Sequence, residues 1–195
     1  MLKISLEKRK SFIADSAANI FVEKGYQSTS LRDIAAAIGI TKAGIYHYFA
    51  SKEDILFHTL IAVHDKNLKR LQSRRHEFED PSLTPEVNLR KLLRVYAQVT
   101  LNNLKLSLLS LRERHQLTGK NRKDYLQKEK EIFETLRNLI RQNSTINKKH
   151  NINGIVFMII SMHVWVGYWI NDKGKQTLDQ IIEQNIEMIC NGIQD

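Results

Sequence analysis

The stretch from Ser30 to Phe49, Ser-Leu-Arg-Asp-Ile-Ala-Ala-Ala-Ile-Gly-Ile-Thr-Lys-Ala-Gly-Ile-Tyr-His-Tyr-Phe, constrains the fold most, because it holds two helix starts and one helix stop at close spacing. Ser30 is a good N-cap, and Asp33 three residues on is placed to reach back to the cap N–H and to favour the positive helix end. Leu31, Ile34, Ala35 and Ile38 share one face at i, i+3, i+4 and i+7, and Gly39 stands where a helix ending in a left-handed residue takes glycine. Thr41 then caps a second helix, predicted to run through Lys42, Ala43, Gly44, Ile45, Tyr46, His47, Tyr48 and Phe49. The pair reads as a helix-turn-helix. Ile45 and Phe49, four apart, are predicted to face inward, and the adjacent aromatics Tyr46, His47 and Tyr48 cannot all do so on one helix.

In such a motif the second helix enters the DNA major groove with its N-terminal residues at base edges. Thr41, Lys42, Ala43 and Gly44 are therefore expected at the groove. The small residues let the backbone approach, alanine meets a thymine methyl, and Lys42 donates to guanine acceptors. Tyr46, His47 and Tyr48 carry donors suited to phosphate or base edges. The plainer alternative is a helical hairpin whose aromatics are only core.

Charge favours DNA. Residues 1–75 hold 13 Lys/Arg against 7 Asp/Glu, a balance of +6, whereas the remaining 120 residues hold 17 against 14, a balance of +3. An excess gathered around a groove-reading motif is the expected footprint of phosphate neutralisation. A basic face alone would be weaker evidence, since it also serves solubility or attraction to anionic lipid.

The rest of the chain reads as helix. With 42% hydrophobic residues, 8 Gly and 2 Pro in 195 residues, and few alternating runs, the expected fold is all-α with about nine helices. A first helix is expected from about Glu7 to Lys24, with Phe12, Ile13, Ala17, Ile20 and Phe21 on its inner stripe and Gly25 as its stop. Arg9 and Lys10 near its start are as well read as a solvated end as phosphate contacts. Ser51 and Asp54 repeat the capping box before a long helix from about 52 to 72. The polar stretch Ser73 to Pro85, with both prolines, marks a boundary. Helices are then expected at Val87 to Leu117 with a break near Lys105 or Ser107, Asn121 to Asn143, Asn151 to Asn171 and Gln176 to Ile193. The domains expected are residues 1–50, a helix-turn-helix head, and 51–195, a larger helical domain to which the family resemblance described below adds effector binding and dimerisation.

Gly154 to Ile170 is the most hydrophobic segment, and a membrane span is the rival reading. It is slightly short and carries Ser161 and His163 centrally, so a helix buried on all sides is preferred and no membrane is expected. Burial all round requires a second partner, which a second copy of the chain supplies. Leu178, Ile181, Ile182, Ile186, Ile189 and Ile193 give the last helix a further stripe. A single Cys190 and the absence of a secretory apolar region after the basic start point to the cytoplasm. No nucleophile–base pair, phosphate loop or metal-ligand spacing appears, so neither an enzyme nor a cofactor or metal is expected; His115 and His163 read as structural.

The run Gly39 to Leu56, ending Tyr46-His-Tyr-Phe-Ala-Ser-Lys-Glu-Asp-Ile-Leu56, resembles the signature of the tetracycline-repressor (TetR) family, and Ala18 to Ser30 is similar to that family's first helix and its exit. The resemblance implies a bacterial repressor that binds a palindromic operator as a homodimer through its last two helices and is released by a small effector. It places Thr29, Ser30 and Arg32 at backbone and groove contacts and Lys52 at a phosphate. Dimerisation also has a DNA reason, since a two-fold dimer sets two recognition helices about 34 Å apart on a palindrome. A cavity lined by Tyr96, Leu104, Leu108, Tyr125, Phe133, Phe157, Met158, Met162, Trp165, Tyr168 and Trp169 would suit an apolar effector, although each alone is more often core packing. Leu111-Arg-Glu-Arg-His115 with Arg122 and Tyr125 is weakly similar to members that answer acyl-coenzyme A thioesters. Arg112, Arg114 and Arg122 either pair such phosphates or are surface charges, with a slight advantage to the second. The alternative function is a DNA-bound adaptor that recruits a protein and has no effector.

Overall fold

The computed structural model describes residues 5–144, 150–169 and 176–193. Those residues form nine α-helices and no strand: α1 (Leu6–Lys24), α2 (Leu31–Ala37), α3 (Lys42–Tyr46), α4 (Lys52–Ser73), α5 (Pro85–Leu101), α6 (Leu104–Glu113), α7 (Gly119–Gln142), α8 (Ile152–Trp169) and α9 (Leu178–Ile193). Local chemistry sets many of the ends. The Ser5 hydroxyl takes the Lys8 N–H at the start of α1, and Gly25 at φ +84° closes it. Thr84 caps α5, with Pro85 in the first turn where its missing N–H has no helical partner to lose.

Two boundaries and one helix face differ from expectation. The helix after Thr84 breaks at Asn102 and Asn103, ahead of Lys105 and Ser107, so α5 and α6 are separate helices. The second helix of the motif ends at Tyr46, three residues before Phe49. Phe12 is 51% exposed, because the buried face of α1 is the one carrying Ile13, Ala14, Ala17, Ala18 and Phe21.

The chain divides into two compact units. The first holds Met1–His64 and Leu108–Lys128. It therefore extends beyond residues 1–50, taking in the first half of α4 and the corner between α6 and α7. The reason is apolar: Leu109, Leu117 and Tyr125 belong to the same buried cluster as Phe21, Ile34, Ile45, Phe49 and Leu56.

The second unit, Asp65–Ser107 with Glu129–Asp195, is built on α5. Leu89, Leu92, Leu93, Tyr96 and Val99 are buried with Leu136 and Ile140 of α7, Ile155, Val156 and Ile159 of α8, and Ile182, Ile186 and Ile189 of α9. The α9 stripe thus lies in the chain's own core, and an Arg94–Glu183 ion pair adds a tie between α5 and α9. The α8 helix is buried on one side only. Ile155, Val156, Ile159 and His163 face inward, while Phe157, Met158, Trp165 and Trp169 are exposed. No helix among the described residues is long and apolar enough to cross a membrane.

Candidate nucleic-acid interface

The two short helices of the motif are fixed by their own caps. At the start of α2 the Ser30 hydroxyl accepts the Asp33 N–H at 3.2 Å, and Asp33 Oδ2 accepts the Ser30 N–H at 2.7 Å and the Ser30 hydroxyl at 2.6 Å. This is a complete capping box with aspartate as its third residue. The hydrogen bonds from the Ser30 hydroxyl and then its backbone N–H hold the Asp33 carboxyl below the ordinary aspartate range.

At the other end of α2, Gly39 has φ +70°. Its N–H reaches Ala36 O at 3.3 Å, and the Ile40 N–H reaches Ala35 O at 3.0 Å, the paired bonds of a Schellman stop. A residue with a Cβ is strained at that φ, so the turn depends on glycine. Two residues later the Thr41 hydroxyl accepts the Gly44 N–H at 3.0 Å and α3 begins. Ile45 and Phe49 are buried, as their spacing requires, and anchor α3 from beneath.

What remains outside is the surface predicted for the groove. Ser30, Arg32, Thr41, Lys42, Ala43, Tyr46 and His47 are exposed; Gly44 and Tyr48 are half-buried. The Lys42 ammonium lies 5.7 Å from the centre of the Tyr46 ring, so the two donors stand together on one exposed flank of α3.

Thr29 and Lys52 are placed differently from a groove or phosphate contact. Thr29 is 1% exposed, and its hydroxyl donates to Gly25 O at 2.8 Å. The Lys52 ammonium donates to Tyr26 O and Thr29 O, each at 2.9 Å, and sits 4.2 Å from the Tyr26 ring centre. Its burial pulls the lysine pKa down. Both side chains fasten the turn that leads into α2. Lys10, one of three basic residues at the start of α1, has its ammonium 5.6 Å from the Phe49 ring centre.

The sequence reading did not single out the groups that hold the α6–α7 corner to the motif. The Glu53 carboxylate accepts the Thr118 N–H at 2.9 Å and its hydroxyl at 3.0 Å, beside the start of α7. Gln27 donates to Gln116 at 2.8 Å. The only local signal was Thr118 ahead of Gly119, since these partners lie 65 and 89 residues apart.

The residues expected around an effector fall in both units. Leu108, Arg112 and Tyr125 belong to the first. There Arg112 Nε donates to the buried Glu113 at 2.7 Å and its Nη2 to Phe21 O at 3.3 Å, while the Tyr125 hydroxyl bonds Ser110 at 2.6 Å and His64 at 3.0 Å. Tyr96, Leu104, Phe133, Met162, Trp165 and Trp169 belong to the second. Phe133 and Met162 pack on the apolar cluster that contains Tyr96, and Phe133 stacks on Phe157 at 4.7 Å between centroids. Trp165 and Trp169 are exposed, 51% and 74%, and lie on the outer side of α8. The Tyr168 side chain lies outside the described residues. Among the described residues no cluster of His, Cys, Asp and Glu could hold a metal ion.

Comparison with known proteins gives two family matches. Residues 13–59 match "Bacterial regulatory proteins, tetR family", and residues 82–193 match "Tetracyclin repressor-like, C-terminal domain". The HTH-type transcriptional repressor KstR2 of Mycobacterium tuberculosis is 23% identical over 193 residues, covering 96% of this chain and 94% of that protein. The HTH-type regulator YuxN of Bacillus subtilis is 33% identical over 76 residues, 39% of this chain but 26% of that protein. The crystal structure of AibR in complex with isovaleryl coenzyme A and operator DNA superposes with a TM-score of 0.77 at 27% identity, covering 92% of this chain and 97% of that one.

Proposed function

The chain belongs to the tetR family of bacterial regulatory proteins, and from that footing we propose that it is a transcriptional repressor that binds a palindromic operator as a homodimer and is released by a small, mainly apolar effector. One observation carries the DNA half of this reading. The Schellman turn at Gly39 and the Thr41 cap hold α3 so that Ile45 and Phe49 are buried while Lys42, Ala43, Tyr46 and His47 stay exposed. Lys42, Ala43 and Gly44 read base edges; Ser30, Arg32, Thr41, Tyr46, His47 and Tyr48 serve phosphate and groove contacts. Thr29 and Lys52 support the interface from inside by fixing its entry turn.

The dimer half rests on α8 and α9. Phe157, Met158, Trp165 and Trp169 on α8 and Met188 on α9 are large apolar groups left exposed by a single chain, and a second copy covers them. For the effector, the likeness to AibR with its bound thioester favours an acyl-coenzyme A, and the apolar core around Tyr96, Phe133 and Met162 favours an apolar tail.

Selection of duplexes from a randomised pool by the purified protein, at near-physiological salt, tests this directly. Enrichment of a palindrome with half-sites about one turn apart is the expected result. No enriched sequence, with binding that vanishes as salt rises, would leave only the electrostatic attraction and overturn specific reading. Effector should then weaken operator binding by a coupling free energy of about 1–3 kcal/mol, and operator should weaken effector by the same factor.

A further inference from the structure

Among the described residues of the second unit four buried side-chain polar atoms have no partner, Arg70 Nη1, Asn88 Oδ1, Arg137 Nε and His163 Nε2, and His163 is the least exposed of these residues. His163 on α8 is 2% exposed, and its Nε2 is fully buried with no hydrogen-bonding atom in reach among the described residues. The other ring nitrogen is committed: Nδ1 lies 2.6 Å from Ile159 O. A carbonyl oxygen only accepts, so the ring proton is on Nδ1 and Nε2 presents a lone pair. Burial lowers the pKa of the ring, keeping it neutral, and the neighbouring titratable group is silent as well. That neighbour is Tyr96 of α5, packed edge-on at 5.3 Å between ring centres, its own pKa pushed up to about 12 by burial.

No donor among the described residues reaches Nε2. One turn before His163 lie Ile159 and Ile160, two turns before lie Ile155 and Val156, and all four belong to or pack on the apolar cluster that includes Tyr96. A buried acceptor left without a donor is unfavourable, and an apolar replacement of the same shape would avoid the penalty. The site instead keeps a histidine whose acceptor nitrogen is held in a fixed tautomer.

We propose that His163 Nε2 is the polar anchor of a ligand site in this unit, accepting a hydrogen bond from a hydroxyl or amide N–H on a small, mainly apolar molecule seated against Tyr96. The inference rests on the reading that this unit senses an effector, and it narrows the effector's chemistry. An alcohol, a phenol or an amide satisfies the nitrogen. A carboxylate, ketone, ether or thioester carbonyl brings only acceptors. For an acyl-coenzyme A, the group meeting His163 would be an amide N–H or hydroxyl of the pantetheine arm.

The test uses the full chain with nitrogen-15-labelled histidine and two isomeric probes, hexanol and methyl pentyl ether, equal in composition but differing in the donor. Hexanol should move the His163 Nε2 resonance and bind about tenfold tighter than the ether, the difference one hydrogen bond makes. In His163→Phe, which keeps an aromatic ring without the acceptor, the two probes should bind alike. Equal affinity of the probes for the wild type would overturn the proposal, as would a preference for hexanol that survives in His163→Phe. So would a His163 resonance that neither probe moves, the result if a buried water holds the nitrogen. Operator affinity measured in the same samples separates the two claims. Binding at His163 without any effect on DNA would sink the sensing role of this unit and leave the anchor standing; loss of DNA binding with no His163 response would do the reverse.

Discussion

The Lys52 ammonium lies 4.2 Å from the centre of the Tyr26 ring while donating to that residue's carbonyl oxygen at 2.9 Å. With a second bond to Thr29 O, it ties the first turn of α4 to the turn that enters α2. Lys52→Met keeps the apolar stem and removes these bonds. The expected loss is about 1–2 kcal/mol of stability, discounted from the usual worth of charged hydrogen bonds because the group is half-exposed. Urea unfolding of the full chain measures it. The slope of log K against log salt for operator binding should stay unchanged, and a slope smaller by about 0.9 would instead place Lys52 on a phosphate.

Lys42 should behave in the opposite way. Its ammonium makes one ring contact on the surface of α3, so Lys42→Ala should leave stability within about 0.5 kcal/mol. Discrimination at one base pair of each half-site should fall by about 1–3 kcal/mol. Binding of the operator and its single-base variants by both proteins gives the answer, and an unchanged preference would remove Lys42 from base reading.

Gly44 separates stability from recognition. A Cβ built there would meet Thr41 Oγ1 at 3.5 Å and Ile40 carbons at 3.6 Å, ordinary contacts that require nothing to move. The fold therefore does not demand glycine at this position, and Gly44→Ala should gain about 0.4–1 kcal/mol through the unfolded chain. The close approach of backbone to duplex should suffer, so the melting temperature rises while operator affinity falls. Affinity equal to wild type would show that the backbone at residue 44 stays clear of the DNA.

His163 carries a pH dependence with a definite sign. Burial holds its folded-state pKa below the ordinary 6.5, so the unfolded chain takes up a proton first as pH falls. Its contribution is complete above about pH 6.5 and is lost as pH falls through the folded value, at up to about 1.4 kcal/mol per unit. His58 is shifted downward too, chiefly by burial, and adds to the same window. Unfolding free energies measured between about pH 7.5 and 5 should fall less steeply for His163→Phe than for the wild type. Identical slopes would mean that the ring is not held neutral in the fold.

Local chemistry carried much of the fold and of the interface. Ser30 with Asp33, Gly39 and Thr41 each act within four residues of themselves, so the residue types alone announce the turn between α2 and α3. Lys52 shows the converse. The family resemblance implies a phosphate contact for it, while its partners in the structure, the carbonyls of Tyr26 and Thr29, stand 26 and 23 residues away, beyond the reach of any local pattern. Phe12 is expected on the inner stripe of α1 with Ile13, Ala17 and Phe21, yet the buried side turns toward Ala14 and Ala18, whose small side chains give a weak signal. Asn102-Asn103 is a turn-forming pair that did mark the break between α5 and α6, but the leucines that follow pulled the expected break downstream.

The α6–α7 corner has a consequence for how the protein comes to exist. Leu109, Leu117 and Tyr125 complete the cluster around Phe21, Ile34 and Phe49, and the Glu53 carboxylate finds its partners at Thr118 and Asn121. A ribosome making about 5–20 residues per second exposes the whole helix-turn-helix seconds before those residues emerge. During that interval the newborn head has its caps and its turn but a gap where Leu109 and Tyr125 belong. Regulatory competence therefore begins late in translation, and a chain cut short before residue 108 should be handled by the cell as an unfinished core rather than as a small free DNA-binding domain.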